Sequence, residues 1–198
     1  MLRFHRSAIA RTALVLALLL AFPAVALAGN FAGNANFFLG TKSLDKDDWE
    51  PVEEHGAFGV ELSWGNTDWP VYIVSYLFWS ADAQDFTLFE TVAVTSELNV
   101  GVRKIWGESR KTRPYVGGGI AIVRGYVQER FDFFPDVDSS DAAVGPWVGG
   151  GVFWRLGSRF NIGMSARWSK ADVEIFNRSV DAGGFQFGLL LGFGWPKH

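Results

Sequence analysis

The sequence predicts an all-β protein, an eight-stranded antiparallel transmembrane β-barrel preceded by a cleaved signal peptide. Three observations predict it. The first is an export signal at the start of the chain. The second is long period-two alternation in which one face is bulky and apolar while the other is glycine, serine and asparagine with isolated charges. The third is the number of such segments, eight, joined by connections that alternate between short and long. Composition agrees with a folded chain: of 198 residues, 48% are hydrophobic and 20% charged. The absence of cysteine excludes a disulfide framework, thiol catalysis, thiolate metal sites and a lipid-modified N-terminal cysteine. A formal net charge of −3 argues against a nucleic-acid partner.

Residues 1–11 hold Arg3, Arg6 and Arg11 and no acid. An apolar run follows over 12–22, then Pro23 and small residues ending Ala26-Leu27-Ala28. A basic start, a short apolar centre and an Ala-x-Ala end read as a signal peptide, 1–28, cleaved after Ala28. The run falls short of the roughly 20 residues of a membrane helix, and Pro23 interrupts it. Cleavage leaves one domain, 29–198, at a net charge of −6. The longest later apolar run, Val71 to Trp79, contains Ser75 and is too short for a membrane helix.

The strands are expected at 34–44, 56–65, 70–80, 92–106, 114–128, 143–156, 160–170 and 182–195. The first carries Lys42 on its polar face. In the second, Phe58, Val60, Leu62 and Trp64 oppose Ala57, Gly59, Glu61 and Ser63. The third is read with Phe78 outward and Leu77 and Trp79 inward. The fourth sets Val94, Leu98, Val100, Val102 and Trp106 against Thr95, Glu97, Asn99, Gly101 and Arg103. The fifth opens at Arg113-Pro114-Tyr115 and ends near Tyr126. The sixth places Trp147 and Phe153 inward with Arg155, and Trp154 outward. In the seventh, Phe160, Ile162, Met164, Ala166 and Trp168 oppose Asn161, Gly163, Ser165, Arg167 and Ser169. The eighth sets Phe185, Phe187, Leu189, Leu191, Phe193 and Trp195 against a face of four glycines, Gln186 and Leu190.

The second face decides the environment. A soluble barrel or sandwich turns its apolar face inward and wets a large charged face. Here the polar face is too small and too poor in charge for that. It suits the narrow inside of a small barrel, so the bulky face must look outward into lipid. Eight such faces left in water would aggregate the protein. Each segment reaches or nearly reaches the roughly 9–11 residues of a tilted membrane strand. An even number of strands closes with no free edge, as a lipid environment demands. Connections 66–69, 107–113 and 157–159 are short to moderate; 45–55, 81–91, 129–142 and 171–181 are longer. Short turns in the periplasm and longer loops outside are the layout of outer-membrane barrels. Trp64, Trp106, Trp154 and Trp195 then fall at the periplasmic ends of downward strands as an interfacial girdle, with Tyr126, Phe78 and Trp168 at the other interface.

The pattern, with Arg113-Pro114-Tyr115-Val116-Gly117-Gly118-Gly119 opening the fifth strand, resembles the small eight-stranded outer-membrane barrels related to the OmpA transmembrane domain, OmpX and OmpW. The resemblance covers the whole mature chain. It implies outer-membrane localisation, contact with outer-membrane lipid and lipopolysaccharide, and insertion by the barrel-assembly machinery. That machinery reads an aromatic terminus in the family; Phe193 and Trp195 fit, and Pro196-Lys197-His198 follow.

Parity gathers Lys42, Glu61, Glu97, Arg103, Arg155 and Arg167 inside the barrel. Two acids and four bases form an expected ion-pair plug, with a gated path for small ions as the alternative. Counted with Lys170 at the edge of the last one, the four long loops hold 17 of the 21 acids against the bases Lys46, Arg130, Lys170 and Arg178, a net of −13. Asp45, Asp47 and Asp48 in the first and Asp136, Asp138 and Asp141 in the third are weak candidates for Ca²⁺ or Mg²⁺, and no other cofactor is implied. The spacing matches no EF-hand. Arg124 sits on the lipid parity, poised for a lipid phosphate, or is turned inward through the glycine run. Some relatives act on lipid A with a His and Ser pair; this mature chain offers only His55 and His198, and His55 reads as a loop residue. Transport of small apolar solutes, as in relatives resembling OmpW, would need inward Trp147, Phe153, Leu77 and Trp79. The reading is therefore a non-enzymatic integral surface protein, envelope-structural or displaying acidic loops, with a narrow channel as the alternative.

Overall fold

The computed structural model describes residues 31–66, 68–85, 89–107, 111–131, 135–157 and 159–195. The expected signal peptide and the tail Pro196-Lys197-His198 lie outside the described residues. Strands β1 (Phe31–Ser43), β2 (Glu54–Asn66), β3 (Tyr72–Asp85), β4 (Phe89–Ile105), β5 (Thr112–Phe131), β6 (Val137–Leu156), β7 (Phe160–Ser169) and β10 (Gly184–Trp195) form the wall. A short helix α1 (Lys46–Trp49) lies between β1 and β2, and a hairpin of β8 (Asp172–Ile175) and β9 (Arg178–Asp181) lies between β7 and β10. The wall closes in the order β1-β10-β7-β6-β5-β4-β3-β2 and back to β1, antiparallel throughout. These eight strands are the eight expected from the alternation. No described helix is long and apolar enough to cross a membrane.

Successive side chains leave a strand on opposite faces, and the register aligns like with like. One row of paired positions runs Val60, Phe37, Leu191, Ile162 and Trp154 across five strands, all on the outer parity. Phe37 and Leu39 are 63% and 70% exposed there. A neighbouring row runs Asn36, Glu61, Tyr76, Asn99 and Ala121, all buried inside.

Three expectations change. On β3 the faces are exchanged: Tyr76 and Phe78 are buried inside, while Leu77 and Trp79 face outward, Trp79 stacked on Phe58 with ring centroids 5.6 Å apart. The segment is apolar on both parities, so only pairing with β2 and β4 fixes its sense. The connections expected at 81–91 and 129–142 are mostly ladder. Asp85 pairs with Glu90, and Glu129 with Val137. Where both faces of a ribbon are wet, its backbone stays paired although its side chains lose the period-two contrast. At 20 residues each, β5 and β6 reach about 66 Å, well beyond a membrane crossing. The wall is thus tall over β3–β6 and low over β1, β2, β7 and β10.

The third change is that 171–181 is not an open loop. The β8–β9 hairpin and α1 fold together across the low side of the loop end. Trp49, Val52, Val173, Ile175, Val180 and Ala182 are all buried in this lid. The Trp49 indole N–H donates to the Asp181 carbonyl at 2.7 Å, and the Asp181 N–H donates to Asp48 at 2.9 Å. A Cβ on Gly125 would meet Val173 at 3.3 Å and Trp49 at 3.4 Å, so the lid descends into the mouth of the barrel. At Gly145 a Cβ would lie 1.6 Å from the Lys170 carbonyl, so only glycine lets the chain leave β7 across β6.

Candidate functional site

The barrel interior is the site the sequence singles out, and its polar face builds it. Strand β1 contributes Lys42, β2 Glu61, β4 Glu97 and Arg103, β7 Arg167 and β10 Gln186. Lys42 and Glu97 meet at 2.6 Å, as do Arg103 and Glu61, and all four side chains are at most 1% exposed. Glu97 also accepts from Gln186 at 2.9 Å, Asn99 at 3.2 Å and Ser169 at 3.3 Å. Lys42 donates further to Thr95 and to the Ala182 carbonyl, which joins the network to the lid. Glu61 accepts from Asn36 at 2.9 Å, and Arg103 donates to the Tyr76 hydroxyl.

Arg167 has a different solution. It donates to Gln186 and lies 3.7 Å over the Phe78 ring and 4.8 Å from the Tyr76 centroid. Arg103 lies 4.0 Å over Tyr115. Guanidinium planes on aromatic faces keep favourable electrostatics without a carboxylate for every cation. Trp147, edge-on to Tyr76 and bonded to the Val100 carbonyl, fills the remaining width. Five of the six expected interior ions therefore form one layer. Arg155 does not join it; it lies at the opposite, turn end beside Arg113 in a small cleft. The ring platforms Tyr76, Phe78 and Tyr115 escaped sequence reasoning, because an aromatic on the inner face of an apolar strand carries no sign of its partner. Gln186, alone on a glycine face, was the legible hint.

His55 is not a loop histidine. It is buried on the inner face of β2, with Nε2 2.9 Å from the Val52 carbonyl and Nδ1 2.9 Å from Ser80 Oγ. A carbonyl only accepts, so Nε2 carries the proton and Nδ1 accepts from Ser80. The Ser80 oxygen is then free to accept from Thr95, 2.7 Å away. The contact lies beneath the lid, with Trp49 edge-on to the imidazole.

Trp64, Trp106, Trp154 and Trp195 lie on the outer parity at the turn end, and Trp168 and Tyr126 on it nearer the loop end. Trp106 and Trp168 are exposed and the other four half-buried. Trp64 and Trp195 both pair with Gly33, and a Cβ there would meet the Trp195 ring at 2.5 Å, so this indole lies flat across Gly33. Arg124 points outward, its guanidinium 3.3 Å from Ser140. Among the described residues no three His, Asp or Glu side chains gather to hold a metal ion. Asp45 caps α1, Asp48 holds Asp181 and Asp136 accepts from Gln128. Asp141 accepts from the Glu174 N–H at 2.9 Å, and this bond holds its carboxyl below the usual carboxylate range.

No family model matches the chain. No curated protein matches it either. Solved structures do. The chain resembles Ail, the attachment invasion locus protein of Yersinia pestis, in complex with the heparin analogue sucrose octasulfate, at a TM-score of 0.60 and 12% identity over 84% of this chain and 99% of that one. Ail without the analogue gives 0.59 and 13% over 83% and 98%. The outer membrane protein OprG from Pseudomonas aeruginosa gives 0.50 and 14% over 85% and 96%. At these identities the likeness establishes the shared fold, a closed eight-stranded barrel.

Proposed function

We propose that the protein is a non-enzymatic integral outer-membrane barrel, a plugged anchor that holds an acidic platform outside the cell. One observation carries the reading: the chain's polarity is inverted, with Phe and Leu side chains covering the outside and the ions sealed at the centre. Apolar burial is worth about 25 cal/mol per Å², and only lipid offers that to an outward-facing wall. The layer of two ion pairs, two stacked guanidinia and Trp147 fills the bore, which supports an anchor over a channel. The apolar-solute reading loses Leu77 and Trp79 from its lining, since both face outward.

The tall β3–β6 wall bears Asp82, Asp85, Glu90, Glu129, Asp138 and Asp141 above the membrane band. Its charge is opposite to what a sulfated glycan needs, so the ligand in the Ail complex is a poor guide here. A cationic partner surface fits. The test exploits the absence of native cysteine. In intact cells, Asp138→Cys reacts with an impermeant maleimide, whereas Asp68→Cys reacts only after the outer membrane is permeabilised. Protein in the soluble fraction, or equal labelling of the two sites, overturns the reading.

A further inference from the structure

The turn end of the barrel holds a second polar site, separate from the central network. Arg113, Arg155 and Trp195, with Asn34 and Tyr72, line a cleft of about 20 Å³. That volume suits one small group rather than a whole ligand. Its chemistry is one-sided. Arg155 Nε and the Trp195 indole N–H are both buried without a hydrogen-bond partner. The Nε atoms of Arg103 and Arg167 in the central network are likewise unpartnered; what sets this cleft apart is two such donors lining one small space, where each costs stability until an acceptor reaches it. Among the described residues no carboxylate lines the cleft. Among the described residues the surrounding rim carries Lys104, Lys111, Arg113, Arg155 and Arg159 against Asp68 alone.

The donors are held in place. The Arg155 backbone N–H donates to the Lys111 carbonyl and the Gly194 N–H to the Arg159 carbonyl, which ties the end of β6 to the start of β5 and the end of β10 to the start of β7. A Cβ on Gly194 would lie 3.1 Å from the Arg155 guanidinium, so the side chain rests directly on the β10 backbone. Trp195 lies flat across Gly33 and lines the cleft, with its indole N–H buried rather than exposed to bulk lipid.

We propose that this cleft binds one phosphate oxyanion between the guanidinium of Arg155, the charge of Arg113 and the indole N–H of Trp195. A planar guanidinium fork matches the paired oxygens of a phosphate better than it matches a halide. The small volume means that the phosphate enters while the rest of its molecule stays outside. It is therefore a free phosphate or the headgroup phosphate of an anionic phospholipid. The lipid source rests on the membrane reading above; the oxyanion site does not.

The test follows the Trp195 indole N–H by NMR, with the full barrel in zwitterionic micelles and the resonance assigned by Trp195→Phe. Millimolar inorganic phosphate shifts the resonance, and chloride at equal ionic strength does not. Arg155→Gln weakens the response about tenfold and Arg113→Gln by less, as expected for loss of a charged fork against loss of a neighbouring charge. Arg155→Lys, which keeps the charge and loses the fork, also weakens it, and serves if the glutamine variant does not fold. Moving the barrel from phosphatidylcholine to phosphatidylglycerol nanodiscs shifts the same resonance if a headgroup enters the cleft; a response to inorganic phosphate alone assigns the site to a free anion. A silent resonance in all conditions, equal shifts with chloride, or an undiminished response in both Arg155 variants overturns the proposal.

Discussion

Lys42 and Glu97 sit in a wall of glycine and serine with no water-facing atom, so each charge depends on the other. Removing one partner of such a pair costs about 3–5 kcal/mol, whereas replacing both with apolar groups costs far less. Here Glu97 retains three other donors, which puts Lys42→Met near the lower end of that range. The expected outcome, read from urea unfolding in phospholipid vesicles, is a loss of about 3 kcal/mol for Lys42→Met. Lys42→Met with Glu97→Leu recovers part of it, since Gln186 and Asn99 then lose their acceptor. The charges of this layer were legible because five ions on the small-residue face could only point inward. The aromatic rings that receive Arg103 and Arg167 were not, because quadrupole partners are chosen by depth and rotamer rather than by spacing. His55 was misplaced for a related reason: β2 begins at Glu54, two residues before the start that the hydropathy pattern marks, and its alternation turns His55 inside while Glu54 stays exposed.

Among the elements, the sequence concealed the short helix α1 and, more consequentially, the β8–β9 hairpin. Its inward residues Val173, Ile175 and Val180 alternate with Asp172, Glu174 and Ser179, but four-residue strands are too short to stand out beside a fourteen-residue connection. It is held on β6 by the Asp141–Glu174 and Ser139–Phe176 bonds. Because the folded-state pKa of Asp141 is depressed, its contribution is present above the ordinary aspartate value of about 3.9 and is lost as pH falls through the lowered one. Acidification below the ordinary carboxylate range therefore loosens the hairpin before the wall. Asp141→Asn loosens it at neutral pH. Backbone order parameters at Glu174 and Phe176 read both effects; unchanged values in the variant would show that the apolar face alone docks the hairpin. On the wall, Val100 lies midway along β4 and faces outward, 51% exposed. Arg at this depth is expected to cost about 2–4 kcal/mol in vesicles and much less near the rims.

At the scale of the molecule, charge is segregated along the barrel axis: acidic at the loop end, nearly balanced at the centre and basic at the turn end. Filled by side chains and lidded by Trp49, Val173 and Ala182, the barrel is expected to give no discrete conductance steps in planar bilayers; steps that appear only on Trp147→Ala would place the block at that side chain, and steps from the unaltered barrel would overturn the plug. The architecture was legible from the eight alternating faces, and the uneven height of the wall was not, because paired ribbons in water lose the contrast that marks strands in lipid. The closing seam runs between β1 and β10, the first and last strands of the wall in chain order, where Gly33 pairs with Trp195. Until β10, the last strand of the wall in chain order, takes its place between β7 and β1, every earlier strand pair stands as an open sheet with two sticky margins. A truncation that removes β10 therefore leaves two unpaired edges, on β1 and β7, and no smaller closed version of the protein behind.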